Sequence, residues 1–514
     1  MKSKNSKGID NISTKIIKNI KNEIALPITN LVNKMINDGL FPDKLKIAKI
    51  IPIYKKNDLH LFENYRPISI LPSFSKIFEK ILYNQMFNYF TNSDLFYKSQ
   101  YGFRSLHSTE YAALELIERI IADMDKNLQP ITIFMDFSKA FDTLNHKILL
   151  HKLKHYGFSE KSIQLITSYL SDRFQYVNFK DASSEYLKIE CGVPQGSILG
   201  PFFFIVYIND ITTATKLFTP LIYADDTTLF TSLQSYNSEN IVTLNQELKI
   251  IVNWLKSNKL SLNTQKTKAM HFHMPPKKVI HPSLYLDETE IEFVKEFNFL
   301  GLTLDDNLKW THHIDSVSKK ISKTLGIMTK LKDTLPTAAL LNIYNALLLP
   351  YINYCLIIWG YKSERLFKLQ KRAVRTITKS KYNAHTEGLF KALRLLKIND
   401  LCKLQDLKFC HKLINNKLPL YFLKNLQSKP NEYICHAYNL RKTNEIRLPA
   451  VKHEFAKHSI NYRYPATLNS TSINIKEKFT THSLNGLKFY FKRMTVDSYN
   501  YECDIPNCYV CQTL

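Results

Sequence analysis

The sequence predicts an α+β fold, in which short apolar strands ending in acidic residues are backed by helices and followed by a mostly helical C-terminal half. Three observations carry this. The run Ile131-Thr-Ile-Phe-Met135 is apolar enough for a strand buried on both faces, and it stops at Asp136. Leu221-Ile-Tyr223 and Thr228-Leu-Phe230 flank Ala224-Asp225-Asp226-Thr227 as two strands flank a tight turn, which puts a pair of carboxylates at a hairpin tip. Beyond Trp310, Ile314, Val317, Ile321, Leu325, Met328 and Leu331 recur every three or four residues with Lys319, Lys320, Lys323 and Lys330 between them. That is the period of an amphipathic helix with a basic, solvated face.

The remaining elements follow in order. Ser108 or Thr109 is placed to cap a helix running from Tyr111 to Ile121. A second helix is expected from about Leu144, with Asp142 as its cap and Gly157 as its stop. Gly192-Val-Pro-Gln-Gly-Ser197 has turn chemistry, and an apolar helix should begin near Ile198. No period of 20 to 50 residues recurs, which excludes repeat architectures.

At 514 residues the chain exceeds one compact core and should divide into two to four units. Its 70 Lys and Arg against 45 Asp and Glu give a formal net charge of +25, which points to a polyanionic partner, nucleic acid before anionic membrane. No membrane association is expected, because Gly200 and Pro201, or Pro350 and Asn353, interrupt the best apolar windows. The basic N-terminus leads into no apolar run, so it does not read as a secretory signal. Most of the eight cysteines are isolated, as in reduced intracellular proteins. Cys503, Cys508 and Cys511 have zinc-like spacing, which His482 could complete. Loose terminal thiols are the weightier reading of that cluster.

Against this charge, Lys216 is the only Lys or Arg between Ile189 and Leu248. Two carboxylates about 4 Å apart repel by roughly 4 kcal/mol at an effective dielectric near 20. A divalent metal is the simplest cation to offset that repulsion. With Asp136 on a neighbouring strand, three acids could hold two such ions about 3.5–4 Å apart, an arrangement suited to phosphoryl transfer.

Phe134-Met-Asp136-Phe-Ser-Lys-Ala-Phe141-Asp142, Gly192-Val-Pro-Gln195-Gly-Ser-Ile-Leu-Gly-Pro201 and Tyr223-Ala-Asp225-Asp226 occur in that order and resemble motifs A, B and C of reverse transcriptases. The resemblance is closest to the non-LTR (LINE-type), jockey-like retrotransposons and extends along most of the chain. Ile51 to Lys56, Asn64 to Ser69 and Gln100 to Arg104 resemble fingers motifs. Leu262 to Thr267 resembles motif D, and Phe299 through Trp310 a primer-grip hairpin. Pro350 to Gly360, Gln370 to Arg375 and Tyr438 to Arg441 resemble thumb and tail patterns, although the Tyr462-Arg-Tyr-Pro465 segment lacks the Trp usual there.

The resemblance implies a right-hand polymerase: an N-terminal extension (1–35), a reverse transcriptase domain (36–304; fingers 36–125, palm 126–304), a helical thumb (305–420) and a C-terminal region (421–514). It implies RNA-directed DNA synthesis from dNTPs on a primer 3′-hydroxyl. Asp136, Asp225 and Asp226, joined by the Phe137 carbonyl, would hold two Mg2+ ions, with Mn2+ as a substitute. Lys266 would act as general acid toward pyrophosphate. Lys55 (or Lys56), Arg66, Phe141 and Gln195 would bind the nucleotide, Phe141 as a steric gate against a 2′-hydroxyl. Arg104, Lys371, Arg372 and Arg375 would contact nucleic acid. An ordinary core Phe and a surface-charge Lys are the competing readings for Phe141 and Lys55.

The expected partners are an RNA template, a DNA primer or target, dNTPs and a separate endonuclease acting in trans, because no endonuclease precedes Lys7-Gly-Ile-Asp10 here. A cytoplasmic ribonucleoprotein and the nucleus are the expected locations. An inactive remnant that only binds nucleic acid is the main alternative, and an RNA-templated RNA polymerase a third. Asp305-Asp306, His271-x-His273 and His312-His313 read as structural, and His146, His151 and His155 as no metal site.

Overall fold

The computed structural model describes residues 5–137, 140–274, 280–427 and 446–499. Near the N-terminus, β1 (Ile47–Tyr54) and β2 (Tyr65–Ile70) form an antiparallel hairpin that pairs Ile53 with Arg66. The strand Arg173–Phe179 joins the other side of β1 in parallel. Ala48 and Ile50 of β1 are buried, whereas Ile53 and Tyr54 at its end are exposed.

Helix α1 (Thr109–Asp125) starts where expected, with the Ser108 hydroxyl accepting from the Tyr111 N–H at 3.2 Å. It leads into β3 (Gln129–Met135), the middle strand of the central sheet. Ile131, Ile133 and Met135 enter one core and Phe134 the other, so β3 is buried on both faces. Helix α2 (His146–His155) follows. Its cap is Asn145, whose side chain accepts from the Ile148 N–H at 3.1 Å, and not Asp142. The reason is that the Asp142 carboxylate already accepts from the Gln195 side chain. Gly157, with φ of 88°, lies just past the end of α2 as anticipated.

Helix α3 (Leu199–Ile208) is buried almost throughout, which accounts for its apolar composition without a membrane. Two strands then return, β4 (Thr219–Tyr223) and β5 (Asp226–Leu233), followed by β6 (Lys268–His271) and β7 (Glu292–Phe293). The sheet order is β7-β6-β3-β5-β4, with β3 antiparallel to both neighbours and β7 parallel to β6. The sheet is two strands wider than the three the apolar pattern marks. Lys268–His271 and Glu292–Phe293 are too short and too polar to show a strand period.

A hairpin of β8 (Glu296–Phe299) and β9 (Leu302–Asp305) joins the sheet to the helical half through the Phe297 ring, stacked on Phe134 at 4.0 Å between centroids. Asp305 accepts from the Lys309 and Trp310 N–H groups, each at 2.7 Å, as a structural acid. Helices α4 (Thr311–Leu331), α5 (Glu364–Ile377) and α6 (Ile398–Ile414) follow. In α4 the apolar stripe is buried or half-buried while Lys319, Lys320, Lys323 and Lys330 are exposed. No single described helix is long and apolar enough to cross a membrane. The bent pair Thr337–Asn353 and Leu356–Lys362 passes together on length and composition, but Leu340, Tyr344, Leu348 and Ile352 sit in the core.

The helices α7 (Ile460–Ser470) and α8 (Leu484–Asp497) share one core with α1 and the helical half. Tyr111, Leu114 and Ile117 of α1 and Phe134 of β3 lie in this same core. Buried Glu118 on α1 accepts from the Ile460 N–H at 2.6 Å and the Asn461 N–H at 3.4 Å, closing the start of α7. Asp125 accepts from the Lys452 N–H at 3.0 Å and the His453 N–H at 2.8 Å. Glu118→Ala should therefore cost about 3 kcal/mol, because it strands buried N–H groups. Glu118→Gln should cost less, since its amide oxygen still accepts. Denaturant midpoints of the two variants check this ordering.

Candidate active site

The acids converge because of strand register. Tyr223 pairs directly with Asp226, so the turn between β4 and β5 consists of Ala224 and Asp225 alone, and Asp226 opens β5 instead of lying in the turn. Ala224 takes a φ of 57°, a conformation that costs an L-residue roughly 1–2 kcal/mol and recurs at functional turns. Met135 pairs with Thr227, which brings Asp136 to the same end of the sheet as Asp226.

The charges feel one another. Asp226 is exposed, yet the protein around it displaces enough water to push its carboxyl up to about 6, helped by the charges of Asp225 and Asp136. Burial and the Asp136 charge also raise Asp225, while its own backbone N–H, Arg66 and Lys55 pull it down. The folded state therefore holds a proton on Asp226 that the unfolded chain, near pH 4, releases earlier. Stability should fall as pH rises from about 4 to 6, and the loss should persist above 6. Solvent exposure limits this to about 1 kcal/mol. In chelator at pH 7.5, Asp226→Asn should raise Tm by about 2 °C, with no difference at pH 4. Equal Tm values at both pH values would contradict the shift.

Two segments hold the acids in place. The Leu262–Thr267 loop clamps the end of β3: the Asn263 N–H donates to the Asp136 carbonyl at 2.8 Å, and Phe137 bridges to Leu262. Lys266 on this loop sits 3.7 Å from the Asp136 carboxylate, as an exposed ion pair. On the other side, the Tyr101 N–H donates to the Ile222 carbonyl at 2.7 Å and the Ile222 N–H to the Ser99 carbonyl at 3.0 Å. This seats the Gln100–Phe103 turn against the Asp hairpin.

Beside the hairpin opens a cleft of about 1270 Å³, lined among others by Lys55, Arg66, Phe103, Phe141, Gln195 and Asp225. Lys56, Asp136, Asp226 and Lys266 are not among its lining residues. Phe141 is half-buried, stacked on Phe204 of α3 at 4.7 Å and edge-on to Phe103 at 6.4 Å. The Gln195 carbonyl accepts from the Ser69 N–H of β2 at 2.8 Å, tying its loop to the strand that carries Arg66.

Other nominated residues lie elsewhere. Arg104 spends its guanidinium on the Tyr97 and Gln100 carbonyls, at 2.9 and 3.2 Å, and lies over the Phe96 ring. It braces the turn, which a basic residue in a loop does not reveal from sequence. On α5, Arg375 donates to the Ala384 carbonyl at 2.8 Å, Lys371 lies over Phe367, and Arg372 is exposed. His146 bonds the Gly192 carbonyl at 2.7 Å, and buried His313 accepts from the Thr303 N–H. Cys503, Cys508 and Cys511, and the Tyr438–Arg441 segment, lie outside the described residues. Gly102, Phe103, Asp142 and Asn263 lie within the motifs quoted from the sequence, which assign none of them a role at the site.

Among the described residues no trio of His, Cys, Asp or Glu is already gathered tightly enough to hold an ion. The donor chemistry still fits a hard divalent cation: three carboxylates lie at one sheet end, crowded enough to raise Asp225 and Asp226.

Residues 53–304 match the family described as reverse transcriptase (RNA-dependent DNA polymerase). The probable RNA-directed DNA polymerase from transposon BS of Drosophila melanogaster is 29% identical over 407 residues, which cover 76% of this chain and 45% of that protein. The RNA-directed DNA polymerase from mobile element jockey of the same organism is 26% identical over 419 residues, covering 79% and 45%. Among solved structures, apo telomerase from Candida tropicalis aligns with a TM-score of 0.38 at 13% identity, over 65% of this chain and 62% of that one. Sheet, hairpin acids and cleft thus define a reverse transcriptase domain. Over 76% and 79% of its length the chain is similar to these two retrotransposon polymerases, and it spans about 45% of the length of either. Reverse transcriptases as a family use divalent metal ions for catalysis.

Proposed function

We propose that this chain is the RNA-directed DNA polymerase of a non-LTR retrotransposon, extending a primer 3′ end with deoxynucleotides on an RNA template. The observation that carries this reading is the convergence of Asp136 with the Asp225–Asp226 hairpin beside a cleft lined by Arg66, Phe141 and Gln195. Asp136, Asp225 and Asp226, with the Phe137 carbonyl, would hold two Mg2+ ions, for which Mn2+ could substitute. When bound, the ions sharpen the attacking hydroxyl and offset charge on the leaving phosphates.

The chain's own groups do the rest. Arg66 offers a planar fork to phosphate oxygens and Lys55 a point charge. Phe141, wedged between Phe204 and Phe103, would crowd a ribose 2′-hydroxyl as a steric gate. Lys266, 3.7 Å from the Asp136 carboxylate, would transfer a proton toward pyrophosphate. The exposed lysines of α4 and Arg372 of α5 would follow a phosphate backbone. An RNA template and a DNA primer are the partners. The setting is a cytoplasmic ribonucleoprotein and the nucleus. Primer extension tests this: product on an RNA template with dNTPs and Mg2+, and none with ribonucleotides alone, is expected. Salt-sensitive RNA binding with no incorporation would overturn it.

A further inference from the structure

Asp142 lines the nucleotide cleft, yet none of the roles above uses it. Both of its carboxylate oxygens lie 3.0 Å from the Gln195 Nε2, so the amide donates to Asp142 from its nitrogen end. A carboxylate has no hydrogen to give, so the opposite orientation of the amide would set two acceptors against each other. The Gln195 Oε1 is then the atom left for the cleft.

The backbone makes this geometry stiff. The Val193 N–H donates to the Phe141 carbonyl at 3.0 Å and the Gly192 N–H to the Leu144 carbonyl at 2.7 Å. Cys191 Sγ donates to the Asp142 carbonyl at 3.4 Å. Gly192 has a φ of 78°, and a Cβ there would stand 2.5 Å from that same carbonyl oxygen, so the two loops touch where only glycine fits. Asp142 and Gln195 are therefore held in register by three hydrogen bonds besides their own.

We propose that Asp142 is a positioning residue that fixes the polarity of the Gln195 amide, so that the incoming nucleotide meets a carbonyl acceptor and not an N–H donor. The group recognised is a hydrogen-bond donor on the nucleotide, such as a sugar hydroxyl. This inference rests on the polymerase reading and refines the specificity of its cleft.

A donor–acceptor exchange tests it, read as KM and kcat for dNTP and, without turnover, as binding of a non-incorporable α,β-imido dNTP to the full chain with template and primer. Asp142→Asn alone lets the amide turn either way and should raise KM about 10-fold with kcat nearly unchanged. Gln195→Glu alone sets two carboxylates against each other and should weaken binding by roughly 30-fold or more. Combining Gln195→Glu with Asp142→Asn restores a donor facing an acceptor, with an oxygen again turned to the cleft, and should recover KM to within about 3-fold of the unmodified protein. A double variant as weak as Gln195→Glu alone would overturn the proposal. So would an Asp142→Asn variant with lower Tm and lower kcat but unchanged KM, which marks a merely structural acid. The polymerase reading fails separately, if the unmodified protein binds the analogue and shows this pattern yet incorporates nothing. If the unmodified protein does not bind the analogue, both fall.

Discussion

Asp225→Ala should lower the rate of primer extension at least about 10³-fold, equivalent to roughly 4 kcal/mol of transition-state stabilisation, while leaving RNA binding intact. Asp225 is the acid that both belongs to the hairpin and lines the cleft. Its neighbours Arg66 and Lys55 partly neutralise it, and Asp136 opposes it. Removing it leaves Arg66 and Lys55 free to hold triphosphate, so the loss should fall on kcat, with KM for dNTP changed only a few-fold. Single-turnover extension alongside a salt titration of RNA binding separates the two. Unchanged extension would mean that the site lies elsewhere. A parallel collapse of RNA binding would mean that the substitution had damaged the fold.

Gly102→Ala should cost about 10²-fold in kcat although residue 102 carries no chemistry. A Cβ at this position would stand 2.3 Å from the Ala224 backbone nitrogen and 2.9 Å from its Cα, and neither atom belongs to a side chain that could swing away. The two backbones would have to part by roughly 1 Å, and Asp225 and Asp226 would move with Ala224. Overpacking should also lower stability by about 1–3 kcal/mol. Gly326→Ala on α4, where nothing lies within 4 Å of the new methyl, is the matched comparison for stability and should gain up to about 1 kcal/mol. Full activity in Gly102→Ala would show that the Gln100–Phe103 turn does not set the position of the acids.

The catalytic hairpin was legible because strand, turn and strand each have a short-range signature, and Asp136 because its strand is apolar on both faces. Register did the rest: once Met135 faces Thr227, the three acids share one end of the sheet. What stayed hidden depends on contacts between segments far apart in sequence. Asp142 looks like a helix cap two residues before Leu144, but an amide 53 positions later takes its carboxylate. Arg104 reads as a nucleic-acid contact, and its guanidinium donates to two carbonyls of its own turn. The C-terminal helices look like an appendage, yet Glu118 and Asp125 of α1 fasten that region through backbone N–H groups, which leave no trace in side-chain patterns.

Anomalous diffraction from crystals soaked in Mn2+, with template, primer and a non-incorporable nucleotide bound, tests the central claim most directly. Two peaks about 3.5–4 Å apart are expected, with oxygens of Asp136 and Asp225 on both and Lys266 released from Asp136. Peaks elsewhere, or Asp136 still paired with Lys266 and no ion between it and the hairpin, would contradict it.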